Sequence, residues 1–175
     1  MPNKLLFIIF TTALIIISSK VALADQFGKD SYYEVCFTPQ DNCTQKIINN
    51  INQATQQILV QAYSFTSKPI AKALIKSKNK GVDVEIIFDK KQYEDNHWLI
   101  ASLEKQKIPI FIDYNMKGIA HNKVMIIDSN KVITGSFNFT KAAQKYNAEN
   151  LLIISDEDLA KKYKENWQTR YQTAR

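Results

Sequence analysis

The sequence predicts an α/β fold, a mixed β-sheet flanked by helices on both faces, in a single domain. Three observations predict it. The chain has 175 residues, the size of one domain. Short β-branched runs alternate along it with helical stretches. The runs Ile58-Leu59-Val60, Glu85 to Phe88, Val124 to Ile127 and Leu151 to Ile154 are nearly continuously apolar. That pattern suits strands covered on both faces, not half-exposed ones.

The elements follow in order. Tyr32 to Phe37 reads as a strand. Thr44 to Gln56 reads as a helix, with Ile47, Ile48, Ile51 and Ala54 on one stripe. Thr44 is its expected cap. Gln57 to Tyr63 is a strand. Ser67 caps a helix running to Lys80, with Pro69 in the first turn and Gly81 as the stop. Val82 to Asp89 is a strand, Asp95 to Gln106 a weaker helix, Ile108 to Asp113 a strand. Val124 to Ile127 and Val132 to Thr134 form a hairpin, and Glu149 to Ile154 is a further strand. Asp156 to Tyr171 closes the chain as an amphipathic helix with Leu159, Tyr163 and Trp167 facing the sheet.

The first 24 residues stand apart from this pattern. Lys4, the short apolar run Leu5 to Ile17 and the Ala22-Leu23-Ala24 cleavage pattern read as a signal peptide. The domain is then expected to span Asp25 to Arg175, exported to the periplasm or beyond. An oxidising compartment permits one bridge between Cys36 and Cys43, the two cysteines of the chain. Two free thiols are the alternative. No other cysteine or nearby histidine completes a metal site with them, and neither a metal nor a cofactor is expected.

A net charge of +6 and an isoelectric point near 9.2 favour anionic partners, such as nucleic acid or lipid headgroups. Lys78, Lys80, Lys90 and Lys91 cluster near predicted loops, where they either steer a polyanion or are simply solvated. Histidine is limited to His97 and His121, so a histidine-rich zinc site cannot be built in one chain.

The chemistry concentrates in the hairpin. With Ser129-Asn130 as a two-residue turn, Lys123 lies opposite Ser136 and His121 opposite Asn138. Opposed residues share a face, and so do His121 and Lys123, two apart on one strand. An imidazole, an ammonium, a hydroxyl and a carboxamide then form one patch. Neutral imidazole can attack phosphorus, while Lys123 and Asn138 neutralise the charge that grows on the phosphoryl oxygens. Gly135 leaves room for the close approach of another backbone or a ligand.

The full pattern is His121-x-Lys123-x4-Asp128-x6-Gly135-Ser136-x-Asn138. It resembles the HKD motif of the phospholipase D superfamily. Tyr63-Ser64-Phe65-Thr66, Ala73-Leu74, Gly81 to Val84, Gly135 to Thr140 and Glu149-Asn150 further resemble its small, secreted, single-motif bacterial members. The similarity runs from about Val35 to Trp167. It implies a phospholipase D-like fold and a metal-independent phosphodiesterase in which His121 is the nucleophile of a phosphohistidine intermediate. It implies that Lys123, Ser136 and Asn138 hold the phosphate. Asp128 has a supporting role, and Glu149 orients the histidine.

The resemblance also implies a second histidine for proton transfer, and His97 lacks the motif's lysine two residues on. The second is therefore expected from another copy of His121 across a homodimer's two-fold axis. The expected substrate is DNA or RNA, cut by a non-specific endonuclease. A phospholipase D acting on phosphatidylcholine-type lipids is the alternative enzyme, and a phosphate- or nucleic-acid-binding protein the non-enzymatic one. Tyr63 and Phe65 read as sheet-packing aromatics, with stacking on a base or headgroup as the alternative.

Overall fold

A computed structural model describes residues 24–174 apart from Asn96 and Asn115. The leader expected over residues 1–24 lies, Ala24 aside, outside the described residues. Among the described residues no helix is long and apolar enough to cross a membrane.

The strands are β1 (Tyr32–Thr38), β2 (Gln57–Ala62), β3 (Asp83–Asp89), β4 (Ile110–Asp113), β5 (Lys123–Ile127), β6 (Lys131–Gly135) and β7 (Glu149–Ser155). They form one seven-stranded sheet in the order β1-β7-β6-β5-β2-β3-β4. β2, β3 and β4 run parallel, and every other pairing is antiparallel. The sheet is mixed, as the sequence predicts.

Helices α1 (Cys43–Gln53), α2 (Lys68–Asn79), α3 (Lys90–Asp95), α4 (His97–Glu104) and α5 (Lys141–Lys145) are short, and α6 (Glu157–Thr173) is the longest. The larger core joins Ile47 and Ile51 of α1, Ile70 and Leu74 of α2 and Leu99 of α4 to Val60, Ile86, Met125 and Ile133 of the sheet. The opposite face carries a smaller core, where Leu59, Ile87, Val124, Ile126 and Val132 meet Ala160 and Trp167 of α6. The buried Trp167 indole donates to the Val60 carbonyl (3.1 Å), satisfying its one polar atom. α6 stops short of the β1 edge, where Tyr33, Val35 and Phe37 stay exposed.

Local chemistry explains most boundaries. The Ser67 hydroxyl caps α2, Pro69 sits in its first turn, and Gly81 (φ +94°) supplies the left-handed residue that ends it. Asp156 caps α6. The cap of α1 is Asn42, which accepts from the Gln45 amide, rather than the expected Thr44. The amide of Thr44 instead donates to Gln144 Oε1 of α5 (2.8 Å).

The helix expected over Asp95 to Gln106 is replaced by two. α3 starts directly at the end of β3 and carries the Lys90–Glu94 and Lys91–Asp95 pairs, both one helical turn apart. α5 was not anticipated. It is held by the Thr140 hydroxyl, which accepts from the Ala143 amide. Cys36 and Cys43 form a disulfide that ties the end of β1 to the start of α1, and both are fully buried.

The hairpin differs from expectation by one residue. Ile127 pairs with Lys131 and Met125 with Ile133, so the turn has three residues, Asp128 to Asn130. Asp128 (φ +50°) and Ser129 (φ +58°) take the left-handed conformation. The cause lies outside the hairpin: Asp128 is pulled toward the α1–β2 connection, as described below. A one-residue slip reverses which face each side chain takes. The opposed pairs Lys123–Ser136 and His121–Asn138 therefore do not exist.

Candidate active site

Lys123 begins β5 where Ala62 ends β2, so it sits at the carboxyl end of the parallel strands. Open α/β sheets bind ligands at that end. The β5–β6 ladder stops at Met125–Ile133, while β6 continues against β7 to Gly135–Leu151. Beyond Met125, β5 keeps company with β2 and β6 with β7. Gly135 (φ +145°) permits this, because a Cβ there would collide with the Asn150 carbonyl oxygen. That same oxygen accepts from the Ser136 and Phe137 amides (3.1 and 3.2 Å).

Side chains from both branches meet here. His121 is exposed and Lys123 is 7% exposed. The Tyr63 ring lies 4.5 Å from the His121 ring, centroid to centroid, and Lys123 Nζ stands 5.1 Å from the same ring. Lys123 Nζ also donates to the His121 carbonyl (2.9 Å). Burial pulls the Lys123 ammonium below the ordinary lysine range, and the Glu149 carboxylate partly offsets that. Glu149 in turn accepts from Ser136 Oγ (2.6 Å) and Asn147 Nδ2 (2.8 Å). Asn138 follows on the same loop, with its Oδ1 buried and unpaired.

The tertiary structure thus gathers His121 and Lys123 around Tyr63 and pairs Ser136 with Glu149, whose charge acts on Lys123, by a route other than hairpin opposition. Within one chain, Asp128 and Glu149 both bond to groups other than the His121 ring. Asp128 is not in this group. It lies at the far end of β5, accepting from the Thr55, Gln56 and Gln57 amides and the Thr55 hydroxyl (2.8–3.0 Å). Burial alone would raise its pKa, but those donors outweigh it and the net shift is downward. Its role is to lock the turn to the start of β2. Glu149 does not hydrogen-bond the His121 ring within one chain; its oxygens serve Ser136 and Asn147.

Asp89 and Asn147 are additions to the expected set, and the two aromatics Tyr63 and Phe65 divide between site and core. Tyr63 belongs to the site, whereas Phe65 is core, fully buried against Phe88 and Phe139. Asp89, buried at the end of β3, accepts from the Ala120 amide (2.8 Å) and so fixes the approach to His121. Asn147 holds Glu149. A carboxylate at the carboxyl end of a parallel strand was the available signal for Asp89. His97 is exposed against Tyr93, away from these contacts.

An exposed imidazole beside a buried ammonium, within a basic chain, is equipped for attack on a phosphate. Comparison with known proteins agrees. The family model described as "Cardiolipin synthase, PLD-like domain" matches residues 47–171. A "Phospholipase D" of Rickettsia conorii is 46% identical over 80% of this chain and 70% of its own length.

The chain belongs to the phospholipase D superfamily.

Among solved structures, the phospholipase D family member Nuc from Salmonella typhimurium superposes with a TM-score of 0.78 at 37% identity, covering 83% of this chain and 97% of Nuc. NucT from Helicobacter pylori gives 0.77 at 26% identity, covering 83% and 98%. The expected phospholipase D-like fold is therefore present, and the protein is a phosphodiesterase of this superfamily.

Proposed function

We propose that this superfamily phosphodiesterase hydrolyses nucleic-acid phosphodiesters through a phosphohistidine on His121, without a metal, in a homodimer that shares one site. The carrying observation is the exposed His121 imidazole joined through Tyr63 to the buried Lys123 ammonium. Neutral imidazole attacks phosphorus, the P–N bond forms, and the P–O bond to the leaving group breaks. The leaving oxygen takes a proton from the partner's protonated imidazole. That imidazole then deprotonates water, which displaces His121 from phosphorus. Lys123 and Asn138 stabilise the phosphoryl oxygens, and Ser136 and Glu149 line the site. Export through cleavage after Ala24 belongs to the same proposal and fits the Cys36–Cys43 bridge.

Two features support a shared site. One chain offers a single histidine at the group, and Glu149 makes no contact with its own chain's imidazole. A two-fold axis beside His121 supplies the second ring and gives Glu149 a histidine to orient.

A second substrate reading, phosphatidyl lipids, has one observation in its favour: the Rickettsia relative is named a phospholipase D. The test offers purified protein plasmid DNA, RNA and phosphatidylcholine vesicles, each with excess EDTA, alongside His121→Ala. Nucleic-acid cleavage that survives EDTA and vanishes in the variant is expected. Loss of activity with EDTA ends the metal-free claim, and hydrolysis of vesicles alone replaces the substrate. Mixing wild-type and His121→Ala chains before assay tests the dimer. Activity falling as the square of the wild-type fraction is expected, and a linear fall refutes a shared site.

A further inference from the structure

We propose that a lysine-lined groove beside the active site, carrying Lys68, Lys141 and Lys145, holds the backbone of a single nucleic-acid strand whose scissile phosphate lies at His121. The proposal rests on the phosphodiester reading above and deepens it by naming how the polymer is held.

The groove has a volume of about 580 Å³, and no carboxylate lines it. Thr44, Thr66 and Ser67 form part of its walls. It is built onto the site. The Thr66 and Ser67 amides both donate to the Phe139 carbonyl (3.0 and 2.9 Å), and Phe139 follows Asn138 directly. Thr140 then caps α5, the helix that carries Lys141 and Lys145. The end of the phosphate-binding loop is therefore the wall of the groove.

The three cations are free to take phosphates. Lys141 and Lys145 are exposed and form no ion pair among the described residues. Among the described residues Lys68 forms no ion pair either; its Nζ stands 5.0 Å from the ring of Trp98, which is 51% exposed. By contrast, three of the four lysines that sequence alone marked for steering, Lys78, Lys90 and Lys91, are each paired with a carboxylate. The charge is also polarised along the strands. At the far end five carboxylates, Asp30, Asp128, Asp156, Glu157 and Asp158, outnumber two lysines, Lys29 and Lys131, around a cavity of about 640 Å³. A polyanion is thus drawn to the catalytic end and repelled from the other.

The amides at the starts of α1 and α2 have caps in Asn42 and Ser67, so binding rests on the lysines. A recessed groove suits one strand better than the flat surface of a bilayer. Trp98, under Lys68, offers a platform on which a base can stack.

The test compares the full-length wild-type chain with the triple variant Lys68→Gln/Lys141→Gln/Lys145→Gln, and with the matching triple Lys→Arg variant. Substrates are single-stranded oligodeoxynucleotides, the small diester bis-p-nitrophenyl phosphate, and phosphatidylglycerol vesicles. In the Gln variant, KM for the oligonucleotide should rise about tenfold or more. The slope of log KM against log salt should fall by about 2, since each neutralised phosphate on a single strand contributes about 0.7. Turnover of the small diester should not change, and the Arg variant should recover most of the loss. An oligonucleotide KM and salt slope that do not move, with small-diester turnover intact, overturn the groove and leave the catalytic reading standing. Vesicle hydrolysis that falls while oligonucleotide cleavage holds overturns the strand in favour of a membrane. Failure of the wild-type protein on every diester is the separate failure of the underlying reading.

Discussion

The Tyr63 ring stands between the two groups of the proposed chemistry, 4.5 Å from the His121 ring and 5.1 Å from Lys123 Nζ. Its backbone amide also donates to the Asn122 carbonyl (2.8 Å), so the end of β2 and the approach to β5 are fastened at the same residue. The ring makes these contacts, and the phenol hydroxyl takes no part in them. Tyr63→Phe should therefore keep near wild-type turnover. Tyr63→Ala should lower kcat by about 10- to 100-fold, the scale of misplacing a reacting group by an ångström, with a smaller change in KM. Steady-state kinetics on the small diester decides this. Equal losses in both variants would assign the effect to the hydroxyl.

Lys123 should make activity and stability diverge at alkaline pH. Its folded-state pKa is depressed by burial. The ammonium is therefore lost at a lower pH than from an ordinary lysine, and turnover should fall in that window. Stability moves the other way: between the folded and unfolded pKa values the unfolded chain binds more protons, so stability rises with pH. Lys123→Arg, which stays charged, should remove that alkaline limb from the pH–rate profile. A wild-type profile flat to beyond the ordinary lysine range would contradict this.

Asp128 should matter for folding more than for chemistry. Its net-depressed pKa contributes stability that is present above the unfolded value and lost as pH falls through the folded one. Asp128→Ala leaves three backbone amides and a hydroxyl without their acceptor and should cost about 2 kcal/mol, measured by urea denaturation. Per folded molecule, kcat should stay within a few-fold of wild type. A large fall in kcat with unchanged stability would return Asp128 to the catalytic group.

The Cys36–Cys43 bridge closes a short loop between β1 and α1. In the chain-entropy model a loop of that size is worth about 2–3 kcal/mol. The Cys36→Ala/Cys43→Ala variant should show that loss in urea melts, and wild-type protein should show it on adding reductant. Melts that ignore reductant would mean the thiols are free in solution.

The amino-acid sequence was sufficient for the sheet-and-helix order, because continuous apolar runs and 3.6-residue stripes are local signals. The hydroxyl cap and proline of α2 and the glycine after it were local as well. His121, Lys123, Ser136, Asn138 and Glu149 were marked through the family resemblance, and the structure brings them toward one end of the sheet. Local signals misjudged the hairpin register: the turn is set by amides of Thr55, Gln56 and Gln57, more than 70 positions away in the chain. Only the packed chain decided that β5 and β6 part at Gly135, that Tyr63 bridges His121 and Lys123, and which lysines are left unpaired. These depend on long-range hydrogen bonds and charge neighbours, which no periodicity along the chain encodes.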